Sequence, residues 1–157
     1  MTDSSRRPQH TPTPEEVGAH MFAADRASQA LGMRIVALGA GTARLEMAVR
    51  DDMLNGHAIC HGGFITTLAD SAFAFACNSR NHLTVAAGLT VDFLAPVERG
   101  EVLTADAVEV SRSGRTGVYD IVVTNRAGHR VALVRGRSAS LSGRTVMPVA
   151  AAEEGAR

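Results

Sequence analysis

From His61 to Ser79 the chain reads HGGFITTLADSAFAFACNS, and the one side chain in it that is charged at neutral pH without help is Asp70. On a helix, residues three and four apart share a face. Ile65, Leu68, Ala69, Ala72, Phe73 and Ala76 then form one apolar stripe, which Phe64 and Phe75 widen. Asp70 falls beside Gly63, Thr66, Ala74 and Cys77, all small. A helix that is apolar nearly all round belongs in an interior. The rest of the chain must therefore wrap it. A carboxylate in such a place is costly unless something pairs with it or uses it. Asp70 is either a paired structural acid or the chemistry of the protein.

Gly62 and Gly63 stand where this helix begins, although glycine is a poor helix former. The first turn of a helix carries unpaired N–H groups and the positive end of the dipole. Glycine there lets a ligand approach the backbone, and such an N–H suits a carbonyl oxygen that turns negative in a transition state. Asp70 lies about two turns further along, on the side of Gly63. An oxyanion donor and a carboxylate on one helix suggest attack on an acyl carbon. A helix cap alone accounts for one glycine, not for two and a buried acid.

The flanking pattern predicts what does the wrapping. Pro14 to Leu31 reads as a helix, with Pro14, Glu15 and Glu16 suited to its start and Gly32 to its end. Val17, Met21 and Ala24 share a face of it. Met33 to Arg50 reads as two strand segments, in which Ala43, Leu45, Met47 and Val49 alternate with polar neighbours. After a loop and the Asp70 helix come four extended runs, Leu83–Val97, Glu101–Arg112, Arg115–Asn125 and His129–Leu141. Short glycine-containing connections favour antiparallel neighbours. The expectation is an α+β domain over residues 14–142, a curved antiparallel sheet around one long helix. Residues 1–13 and 143–157 are expected to be flexible tails.

Charge and composition exclude other classes. Sixteen Lys and Arg balance sixteen Asp and Glu, and aromatic residues make up 4% of the chain. This gives no support for nucleic-acid binding. No apolar run approaches the roughly 20 residues of a membrane span. The start, MTDSSRRPQHTPTPEE, lacks the apolar core of a secretion signal, so a cytoplasmic location is expected. Cys60 and Cys77 are not spaced like a zinc site, and no metal or organic cofactor is expected. Cys77 reads as a small buried apolar residue. Cys60 precedes His61, but sequence neighbours seldom form a nucleophilic pair.

LNGHAICHGGFITTLADSAFAFACNS at 54–79, together with VDFLAPVERGE (91–101), GRTGVYDIVVTN (114–125) and VALVRGRSASL (131–141), resembles the hotdog-fold thioesterases of the phenylacetic acid degradation, PaaI, type. The resemblance spans roughly residues 17 to 142. It implies hydrolysis of acyl-CoA, arylacetyl-CoA in particular, by a homotetramer built from hotdog dimers with the site at the dimer interface. Asp70 matches the family's catalytic carboxylate, acting as general base or as nucleophile. Gly62 matches the residue whose N–H polarises the thioester carbonyl, and His61 the histidine that supports it. Asn55 matches an asparagine that positions the attacking water. A further asparagine of the family's first helix is replaced here by Ala24, and Asp25 beside it is not expected to take over its role.

Other residues carry weaker expectations. Gly63 and Thr66 are expected to line the pocket. Arg112, Gly114, Arg115 and Thr116 are expected to contact the phosphates of CoA, which favour arginine and backbone N–H donors. Arg135 and Arg137 read more simply as a charged sheet edge. His57 reads as a loop residue. Phe64, Phe73 and Phe75 could face an aryl group but read first as core. Two alternatives stay open at this stage: a hotdog hydratase, for which no second histidine motif is visible, and a non-catalytic acyl-CoA-binding module, which the Ala24 replacement keeps alive.

Overall fold

The computed structural model describes residues 10–149. Residues 1–9 and 150–157 of the two expected tails lie outside the described residues. Helices α1 (Pro14–Ala24) and α2 (Arg26–Ala30) precede a hairpin of β1 (Arg34–Gly39) and β2 (Thr42–Ala48). A 3-10 turn and a loop lead to α3 (Gly62–Asn78). Four strands follow: β3 (His82–Phe93), β4 (Val102–Ser113), β5 (Thr116–Thr124) and β6 (Arg130–Thr145). The strands form one sheet in the order β1-β2-β4-β5-β6-β3, with every neighbouring pair antiparallel. The α+β architecture expected from the sequence is the one observed.

Alternation builds the core. A single register row, Ile35, Leu45, Ala105, Val123, Ala132 and Phe93, crosses all six strands. Residues paired directly across strands point to the same face. Leu45, Ala105, Val123 and Ala132 of this row are fully buried. Helix α3 lies across that face and touches every strand. It buries Ile65, Leu68, Ala69, Ala72, Phe73 and Ala76, the stripe read from the sequence. Phe73 stacks at 5.3 Å on Tyr119 and presses against Gly136, where an added Cβ would meet the ring at 2.9 Å. Phe75 is buried against Phe22, and Phe64 is half-buried against the core. Phe73 and Phe75 are taken up by the core.

Three details differ from the sequence expectation. The first helix is broken at Asp25, whose side chain accepts the Ser28 N–H at 3.0 Å and starts α2. A side chain competing locally for backbone donors ends one helix and begins another. Strand β6 continues past residue 142 to Thr145, paired with His82. Beyond it, the Asn81 side chain exchanges two hydrogen bonds with the backbone of Met147 (2.9 and 3.1 Å). Asn81 has φ +61°, a left-handed conformation that asparagine tolerates, and this aims its amide at the chain end. Finally, α3 is not covered all round. Gly63 is exposed, and Thr66, Thr67, Asp70, Ser71 and Ala74 are only half-buried. The small-residue face that carries Asp70 is open in the single chain.

Candidate active site

His61 is the N-cap of α3. Its backbone is extended, and its Nδ1 accepts the Gly63 N–H at 2.9 Å. An accepting Nδ1 leaves the ring proton on Nε2. The cap consumes the Gly63 donor and leaves the Gly62 N–H with no acceptor among the described residues. The first-turn donors of a helix cannot be satisfied within it. Of the two glycines, Gly62 therefore offers its N–H outward, with the helix dipole behind it. Gly63 offers only its bare backbone edge. Gly62 has a steric reason as well. The tip of the Phe93 ring lies on it, and a Cβ would meet Phe93 Cζ at 2.7 Å.

A cleft of about 660 Å³ opens beside this helix start. Asn55, His61, Gly62 and Thr66 contribute its polar side; Ile59, Phe93, Leu94 and Pro96 are among its apolar walls. Asn55 is held by its own loop. Its Oδ1 accepts the His57 N–H at 2.9 Å and the Ile59 N–H at 3.4 Å, and its backbone N–H donates to Ile59 O at 2.8 Å. The loop uses the Oδ1 and leaves the Nδ2 without a partner among the described residues. Thr66 Oγ1 donates to Gly62 O at 2.9 Å, so its hydroxyl can face the cleft only as an acceptor. His57 is exposed on the loop, as expected.

Asp70 lies at the middle of α3, one turn beyond Thr66, outside the residues that line the cleft. Among the described residues it has no hydrogen bond and no ion pair, so it is not a paired structural acid. Burial raises its carboxyl above the usual aspartate range. A half-dry carboxylate without a neutralising partner is a stronger base than one in water. Burial, with the Asp70 charge as a lesser contribution, pushes the Cys77 thiol up to about 12. Burial also raises Cys60, whose thiol donates to the His61 carbonyl oxygen rather than meeting the ring. Neither cysteine is set up as a nucleophile.

The residues expected at the phosphates stand elsewhere in the chain. Arg112, Gly114, Arg115 and Thr116 form the β4–β5 hairpin, beside Cys77 and Arg80 at the other end of α3. The helix is about 25 Å long, at 1.5 Å per residue, so one chain does not bring them to the Gly62 cleft. Gly114 takes φ +56° at the hairpin turn. Arg115 reaches Ser142 Oγ at 3.3 Å, Thr116 Oγ1 donates to Ser113 O at 3.1 Å, and Arg112 lies 3.8 Å from Glu109. Arg135 is paired with Asp120 on the sheet surface. Ala24 is exposed, and both Asp25 oxygens are held by Ser28, so Asp25 does not replace an asparagine there. Sequence reasoning missed two features. One is the pair Phe93–Leu94, which in sequence is no more than the apolar end of a strand run. The other is Ser28, buried and bridging Asp25 (2.6 Å) to Ser71 (3.0 Å) beside the catalytic candidate.

An open carboxylate, an N–H directed outward at a helix start and an apolar cleft are the kinds of group that attack on an acyl carbon requires. The thioesterase superfamily matches residues 57–132. The chain is 45% identical over 123 residues to the acyl-coenzyme A thioesterase PaaI of Escherichia coli K12, covering 78% of this chain and 88% of that one. The structure of the E. coli PaaI protein from the phenylacetic acid degradation operon superposes with a TM-score of 0.82 at 42% identity, over 83% of this chain and 95% of that one. The protein smu.793 of Streptococcus mutans, solved with acetyl-CoA bound, superposes with a TM-score of 0.69 at 26% identity, over 72% and 91%. The chain belongs to the hotdog-fold acyl-CoA thioesterases of the PaaI type, and thioester hydrolysis is its activity. The hydratase and binding-module alternatives fall with that assignment.

Proposed function

We propose that this thioesterase hydrolyses arylacetyl-CoA, phenylacetyl-CoA or its ring-modified derivatives, to the free acid and CoA within phenylacetate breakdown. The observation that carries the reading is that α3 holds both a carboxylate, Asp70, and an outward N–H, Gly62, to which the described residues supply no partner, with an apolar cleft at the Gly62 end. The thioester oxygen takes its hydrogen bond from Gly62. Asp70 removes the proton from an attacking water, or attacks the carbonyl carbon itself. His61 holds the helix start, which keeps the Gly62 N–H aimed, and the free Nδ2 of Asn55 orients the water. The aryl preference rests on the likeness to the PaaI enzyme, whose operon degrades phenylacetic acid.

The spacing argues for two chains per site. Gly62 and Asp70 are eight residues apart, about 12 Å along the axis, too far to flank one carbonyl carbon. Two copies of α3 side by side and antiparallel carry Gly62 of one chain toward Asp70 of the other. They also carry the Arg112–Thr116 hairpin of one chain toward the cleft of the other, where it serves the CoA phosphates. The open face of α3 and the unpaired edge of β3 support such a dimer, and pairs of dimers form the tetramer. Residues 14–142 act as the single catalytic domain, in the cytoplasm. Thiol release from phenylacetyl-, hydroxyphenylacetyl-, benzoyl-, acetyl- and long-chain acyl-CoA tests the substrate. Arylacetyl thioesters are expected to give the highest kcat/KM; a clear preference for a straight-chain thioester overturns the assignment.

A further inference from the structure

Phe93 is the last residue of β3 and belongs to the register row that faces the core, opposite Ala132. Its row-mates Leu45, Ala105, Val123 and Ala132 are fully buried, yet Phe93, at the very end of the edge strand, is 54% exposed. The ring therefore projects beyond the core, on the helix side, and its tip rests on Gly62. Leu94, 51% exposed, continues the same apolar surface toward Pro96. The single chain leaves this aromatic ring about half open, in contact with the residue that presents its N–H outward.

We infer that Phe93 is the acyl-selecting wall of the site, with Leu94 as its continuation. This role for Phe93 rests on the Gly62 role proposed above. A carbonyl oxygen hydrogen-bonded to the Gly62 N–H lies beside the ring tip, since the ring touches the Gly62 backbone. Of the two substituents on that carbonyl carbon, the thiol arm of CoA carries amides that need polar partners. The Phe93–Leu94–Pro96 side has only apolar side chains to offer, so it takes the acyl group. An arylacetyl group places its ring one methylene from the carbonyl, within reach of the Phe93 ring. Offset or edge-on ring pairs add to simple burial. An acetyl group has no ring to pair with it. Gly62 is thus required twice, for its N–H and for the room its missing Cβ leaves to Phe93.

The test compares Phe93→Ala and Phe93→Leu with the wild type on phenylacetyl-CoA and acetyl-CoA, with thermal unfolding followed in parallel. The ratio of the two kcat/KM values is expected to fall about tenfold in Phe93→Ala. Phe93→Leu, which keeps bulk but not the ring, is expected to fall between. A proportional loss on both substrates, with the ratio intact, overturns the inference and makes Phe93 a prop for Gly62. Should Phe93→Ala fail to fold, the ratio in Phe93→Leu decides: intact, it overturns the inference. Should the wild type prefer a straight-chain thioester, the arylacetyl reading fails by itself. The Phe93 inference is then judged by the same ratio, with the preferred chain in place of phenylacetyl.

Discussion

Asp70→Asn separates a working acid from a structural one, because the two roles predict opposite signs in two assays. The exchange keeps shape and removes charge. A positioned general base contributes about 10²–10⁴ in rate, or about 3–5.5 kcal/mol at 1.36 kcal/mol per decade. Asp70 is the only acidic side chain in α3, and the open face around it carries Gly, Thr, Ser and Ala. Nothing on that face can take over the proton, so a loss near the upper end, about 10³ or more, is expected. Stability should move the other way. Burial raises the Asp70 carboxyl in the folded chain above its unfolded value. Stability from such a group is fully present below the unfolded value and is lost as pH rises through the folded one. At neutral pH the ionised acid therefore weakens the fold, and the asparagine variant should be at least as stable as wild type. The difference should shrink as the solution is acidified. Thiol release and urea unfolding at several pH values read both effects. Activity within tenfold of wild type, or a variant destabilised at neutral pH as removal of a paired acid would make it, refutes the reasoning.

Two other expectations concern the far end of α3. Arg112→Ala with Arg115→Ala should raise KM for CoA thioesters about tenfold, the size of one lost charge-assisted bond of about 1.5 kcal/mol. The same acyl group on N-acetylcysteamine, which has no phosphates, should respond far less; equal losses would assign the hairpin to folding. Glu109 is held below its ordinary range: burial pushes it up, but the bonds from Arg80 (2.7 and 3.2 Å) and Tyr119 (2.8 Å) outweigh that. Its contribution is present above the unfolded value and lost as pH falls through the folded one. Glu109→Gln should therefore be less stable at neutral pH, and the gap should close under acid; a gap independent of pH argues against the ion pair.

What could be read from the sequence followed from periodicity and local chemistry. The 3.6-residue stripe of α3 and the alternation in β2 identify their buried faces without any knowledge of partners. His61, Gly62 and Asp70 were readable for the same reason, since they sit on one helix and its cap. The break at Asp25 was not, because an 18-residue reading of helix pattern is blind to one side chain bonding its own backbone three residues on. Phe93 was not, because in sequence it is one more apolar strand residue. Only its place in the fold, at the end of the edge strand β3, turns an inward-facing residue into an exposed one. Arg112 to Thr116 were readable as a hairpin with spare cations, but their distance from the cleft depends on the direction of α3 across the sheet.

The face of α3 that carries Asp70 is open in the single chain. Composition alone demands an interior for this helix, and the six strands supply it for one side only. Along the other side run Gly63, Thr66, Asp70 and Ala74, residues small enough for another backbone to come close. Larger side chains there would have covered Asp70 within the single chain. They would also have paired or neutralised it, or left no room for substrate. Small residues leave the acid unpartnered and half-dry, which raises its basicity at a cost in stability. The same absence of bulk that makes the helix start accessible at Gly62 leaves Asp70 open to a second chain or a substrate. A substitution that enlarges this face, such as Ala74→Leu, should therefore impair catalysis more than it impairs the fold of the single chain. Its effect should appear in kcat/KM and in the size of the assembly before it appears in unfolding of the sheet.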